Sequence, residues 1–175
     1  MATRKPIWIM IGILIISAWL LGSVTQAGAQ TYTVKCQAAQ HIIKAQAIEV
    51  GDVPGHNLIV YELGGLTFCD DGSIALNSFK GMGDYIRGSG PFQGYCLNTY
   101  EDGSTTWFKI GATATAAPDG KTASFEGTIE YIKGTGRFEG IQGGGPETGK
   151  RFAPVPGAGA EIYCEWTVTY TLPSK

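Results

Sequence analysis

The chain has 175 residues, 43% of them hydrophobic and 16% charged, with 26 Gly, 8 Pro and 4 Cys. This excludes a disordered tail, a collagen and a coiled coil, because apolar and aromatic residues are plentiful, the glycines keep no three-residue period and no charged heptads run through the chain. Scattered cations and a net charge of −2 also argue against nucleic acid, whose phosphates require a basic stripe.

Residues 1–29 read as a secretory signal peptide. Arg4 and Lys5 form a basic head, Ile7 to Leu21 is an uncharged apolar run of 15 residues, and Ala27-Gly28-Ala29 offers a small-residue cleavage site. The run falls short of the roughly 18 residues expected of a spanning helix. Residues 30–175 are then expected to be a single domain, secreted or periplasmic.

Along that domain, side chains alternate in character. Tyr32, Val34 and Cys36 alternate with Thr and Lys, and Gln37 to Ile48 is read as continuing strand because Ile42, Ile43 and Ile48 are β-branched and no helix cap precedes them. Ile59, Tyr61 and Leu63 share one parity, as do Thr106, Phe108, Ile110 and Ala112. In the last segment Ile162, Cys164, Trp166, Val168, Tyr170 and Leu172 face one way and threonines mostly the other. Asp70-Asp71-Gly72-Ser73, Glu101 to Ser104 and Asp119-Gly120 are hairpin signals, since Asp and Gly tolerate the positive φ of tight turns. About eight short strands with turn signals every 10 to 15 residues predict an all-β, antiparallel barrel or sandwich. The Gly- and Pro-rich stretch from Gln142 to Ala160 is expected to be a long connection, either a lid or partner-binding element or a plain flexible excursion.

All four cysteines lie beyond residue 29, and an oxidising compartment would drive them toward two disulfides. No Cys-x-x-Cys pair is present, which argues for staples over redox or metal chemistry. Of the three pairings, Cys36 with Cys164 would join first and last strands, leaving Cys69 with Cys96.

An internal repeat is the most specific feature. Residues 78–94 and 124–140 are identical at nine of 17 positions and mostly conservative at the rest. Each copy ends in Gly-x-Gly-x-Phe-x-Gly, where glycines bend the backbone and Phe92 or Phe138 can fold back to plug a barrel end. A phosphate-loop reading fails, because neither copy has the Gly-x-Gly-x-x-Gly spacing or a following helix pattern. The run Gly134-Thr135-Gly136-Arg137-Phe138-Glu139-Gly140-Ile141-Gln142-Gly143 resembles the Gly-Thr-Gly-x-Phe-x-x-Ala-x-Gly turn of the allene oxide cyclase and dirigent superfamily, with Ile141 in place of Ala. The resemblance implies an eight-stranded, calycin-like barrel with an apolar cavity; the family's catalytic residues do not map onto this chain.

The chemistry on offer is sparse. His41 and His56 are the only histidines, so a three-His zinc site is excluded, and no metal or cofactor is expected. No Gly-x-Ser-x-Gly elbow occurs. Gly51-Asp52-Val53-Pro54-Gly55-His56 reads either as a turn opening a strand or as a rim site where Asp52 orients His56 as a general base. Tyr61, Phe108, Phe125, Tyr131, Trp166 and Tyr170 stand on apolar parities and serve either as core or as the lining of a cavity. Glu62 shares the parity of Leu58 and Val60, pointing either inward as a polar handle or outward. The expected function is a binding module for a small apolar or amphipathic ligand, drawing on His56, Tyr61, Glu62, Phe108, Tyr131, Trp166 and Tyr170. The rivals are an isomerase or cyclase in which His56 or Glu62 moves a proton, and a structural or partner-binding envelope protein without a cavity.

Overall fold

A computed structural model of the chain describes residues 28–152 and 161–174. The segment read as a signal peptide lies, up to residue 27, outside the described residues. Eight antiparallel strands form a closed barrel in sequence order. They are β1 (Gln30–Glu49), β2 (His56–Cys69), β3 (Ile74–Ile86), β4 (Gly90–Tyr100), β5 (Thr105–Ala116), β6 (Thr122–Thr135), β7 (Gln142–Phe152) and β8 (Ile162–Leu172). Closure is made by β1 against β8, in register from Gln30 opposite Leu172 to Gln40 opposite Ile162. Gln37 to Ile48 is strand, as β-branching predicts.

The expected turns form as Asp and Gly dictate. Asp71 Oδ1 accepts from Ser73 N at 2.9 Å between β2 and β3, and Asp102 Oδ1 accepts from Ser104 N at 3.0 Å between β4 and β5. The β3–β4 hairpin is a two-residue loop with φ of 51° at Arg87 and 82° at Gly88, the primed geometry that matches strand twist.

The two copies of the repeated segment turn at opposite ends of the barrel. The first passes from β3 to β4 at the end that also carries the β1–β2 turn, and the second passes from β6 to β7 at the other end through a short 3₁₀ turn, Gly136–Phe138. There Phe138 is buried and plugs the barrel, its ring centroid 4.7 Å from that of Tyr100 and 6.5 Å from that of Tyr170. Arg137 lies over both the Tyr100 and Phe138 rings.

Two expectations are corrected. Residues 142–152 are a strand, β7, not part of a connection; residues 153–160 lie outside the described residues. Its glycines suit it to this place, since a side chain at Gly144 would meet the Ile129 carbonyl and one at Gly145 the Thr167 carbonyl. The second correction is the cysteine pairing. One disulfide is present, Cys36–Cys69, while Cys96 and Cys164 are buried free thiols. Cys36 faces Cys69 directly across β1 and β2, whereas Cys164 faces Ala38 on β1, two residues away from Cys36 along the seam.

Non-reducing peptide mapping should therefore return Cys36 linked to Cys69, with thiols at 96 and 164. Opening that bond should lower stability by about 3 to 4 kcal/mol, read from denaturant midpoints, because it releases a chain segment of 33 residues. Gly94→Ala should cost about 1 to 3 kcal/mol in the same measurement. Gly94 pairs with Gly81, and the ring of Phe79 lies over both, so an added methyl group collides with the ring and with the Lys80 carbonyl.

Candidate functional site

Side chains fill the barrel unevenly. Toward the end plugged by Phe138, the buried Tyr131 and Tyr170 meet edge to face at 5.8 Å. Toward the opposite end a cavity of about 160 Å³ remains. Three aromatic pairs line it: Tyr61 with Phe79, Phe92 with Phe125, and Phe108 with Trp166, with centroids 5.7, 5.5 and 6.0 Å apart. Gly88, in the β3–β4 turn, and the exposed Arg151, near the end of β7, mark its mouth.

Of the residues expected at a ligand site, Tyr61, Phe108 and Trp166 line this cavity. Tyr131 and Tyr170 do not; they belong to the packed end. Glu62 is outside the barrel, 3.6 Å from Lys80, and the inward reading is corrected. Leu58 and Val60, which share its parity, are exposed as well, so this apolar parity of β2 is its outer face.

His56 opens β2 away from the cavity lining. Its Nδ1 lies 2.5 Å from Asp52 Oδ1 and its Nε2 2.7 Å from Asp84 Oδ1. The hydrogen bond to Asp84, then that to Asp52, raises the imidazole above its ordinary value, while the His56 hydrogen bond is the main influence lowering Asp52. Both ring nitrogens face carboxylates of this chain, and His56 is not among the residues that line the cavity. It ties the β1–β2 turn to β3, and the general-base reading is corrected.

The polar groups that do face the lumen escaped the sequence reading. Gln40 and Asn77 are buried and line the cavity. Asn77 Oδ1 accepts from Gln40 Nε2, and Asn77 Nδ2 lies 2.8 Å from Asn98 Oδ1 and 3.0 Å from Cys96 Sγ. Both residues stand on inward parities among Ala38, Ala75 and Phe79, which is the signal that could have found them. Glu147 was hidden because its segment resembled a loop. It is 4% exposed, and its Oε2 has no hydrogen-bond partner among the described residues. Burial pushes its carboxyl up to about 7, against a smaller opposing effect of the neighbouring Cys164 thiol. Burial likewise raises the Cys96 and Cys164 thiols, so both are protonated and weak nucleophiles. No group of three or more metal-ligating side chains occurs among the described residues.

No protein-family model and no curated protein matches this sequence. Among solved structures, the pterocarpan synthase dirigent protein GePTS1 is 13% identical, with 88% of this chain and 96% of that one covered at a TM-score of 0.45. A conserved protein of unknown function, RPA1785 from Rhodopseudomonas palustris, is 11% identical over 83% and 98% of the two chains, with a TM-score of 0.41. Likenesses this distant carry no argument about activity, and the site is read from its own geometry.

Glu147 should leave a mark on stability. A carboxyl raised by folding stabilises fully below its unfolded value near 4.5, and the contribution is lost as pH rises through about 7. Wild type should therefore lose about 3 kcal/mol from this group between those limits, and Glu147→Gln should remove that part of the slope. The difference between the two proteins in denaturant midpoint against pH isolates it from the His56 contribution, which falls in the same direction.

Proposed function

We propose that this protein is an exported binding module whose barrel lumen takes a small, mainly apolar molecule. The observation that carries the reading is the cavity itself, about 160 Å³ and walled by seven aromatic side chains. An apolar cavity of about 150 Å³ in another protein stays dry and admits benzene, so the space here suits a single-ring compound. Such a ligand would exchange water for ring contacts on every side, and the buried Gln40, Asn77 and Glu147 would set its orientation.

Export is supported by the reading of residues 1–29 and by the Cys36–Cys69 disulfide, which an oxidising compartment would maintain. A second reading, isomerisation or cyclisation within the lumen, is favoured by Glu147, whose carboxyl near neutrality is suited to proton transfer.

Toluene titrated into the protein and followed by ligand-observed NMR should bind saturably at one site. Ala114→Phe, which places a ring into the lumen, should abolish binding while far-UV circular dichroism stays that of the parent. Absence of saturable binding to the parent, or full binding to the filled variant, would defeat the lumen reading.

A further inference from the structure

We propose that the lumen selects a small organic cation, a protonated arylalkylamine whose ammonium group pairs with Glu147 while its ring lies among the aromatic walls. The inference rests on the lumen being a binding site and adds the charge of what enters it.

Glu147 projects from β7 opposite Gly127 on β6 and Trp166 on β8. An unpartnered polar atom in such a place is unfavourable by an amount a folded protein rarely tolerates without use. The other titratable groups lining the cavity are Cys164 on β8, Cys96 on β4, Tyr61 on β2, Tyr85 at the end of β3 and Arg151 further along β7. Burial raises both thiols and both phenols, so all four are neutral around pH 7. Arg151 is the one cation among them, and it is exposed at the mouth. Four residues of extended strand put its Cα about 13 Å from that of Glu147. The ring of Phe125 lies over Gly149, midway between them on the same strand, so the guanidinium is held apart from the carboxyl.

The lumen thus contains one buried acid without an internal counter-charge, in a cavity lined by aromatic side chains. Those are the two elements that recognise an ammonium group: a carboxylate for a charge-assisted hydrogen bond and aromatic faces for cation–π attraction. A carboxylate ligand would meet Glu147 as a like charge. A neutral ligand would leave the carboxyl protonated and its ionised form uncompensated. An ammonium ligand would draw the proton off Glu147 on entry, which couples its affinity to pH.

The test is isothermal titration of the full chain and of Glu147→Gln with benzylamine and with its neutral isostere benzyl alcohol, at pH 6 and pH 8. The parent should bind benzylamine about tenfold more tightly than benzyl alcohol at pH 8. Its benzylamine affinity should fall about tenfold at pH 6, following the ionised fraction of a carboxyl titrating near 7, while the alcohol shows no such change. In Glu147→Gln the amine should lose both its advantage over the alcohol and its pH dependence. If the parent binds the alcohol as well as the amine, or the variant keeps the preference, the cation inference falls and lumen binding stands. If neither compound binds the parent, both readings fall together.

Discussion

The structure depends on the seam between β1 and β8. Register pairs running from Gln30–Leu172 to Gln40–Ile162 join the two terminal strands, so the sheet closes into a barrel. Once the sheet is closed its interior has a fixed cross-section, and inward side chains either fill it or leave a space. Tyr100, Tyr131, Phe138 and Tyr170 fill it at one end. At the other, Gly81, Gly94 and Gly149 let the rings of Phe79 and Phe125 lie flat against the wall, and the axis stays free. The cavity is therefore a product of closure together with the placement of glycine beside phenylalanine.

Closure also sorts the polar groups by environment. His56 sits outside the lumen, each ring nitrogen taken by a carboxylate, and is engaged in holding a turn. Glu147 sits inside, desolvated and missing a partner for one oxygen. The difference lies in which group has its hydrogen bonds satisfied, and it reverses the ranking suggested by residue type, in which a histidine beside an aspartate outranks a lone glutamate in a glycine-rich run. The Gln40–Asn77–Asn98 network shows the same rule from the other side: buried and internally satisfied, it can shape the cavity floor without demanding a ligand.

Alternation of apolar and polar residues determined the class of this protein from its sequence alone: all-β and antiparallel, of about eight strands, with turns at Asp71-Gly72, Asp102-Gly103 and Asp119-Gly120. Period-two patterning and turn chemistry are local, so they survive without knowledge of the fold. The inward face of β8 and that of the middle of β5 were legible for the same reason. Which parity is inward was not always so: Leu58, Val60, Leu66 and Leu76 form apolar rows that face outward. On β1 an irregularity between Ile42 and Lys44 shifts the register, so that Gln40 and then Ala45 reach the lumen from opposite parities. Tertiary structure alone decided that Cys36 meets Cys69, that the glycine-rich run 142–152 is a strand, and that Glu147 faces the cavity. Each depends on which strands become neighbours and how they stagger, a property of the closed ring that no stretch of residues carries by itself.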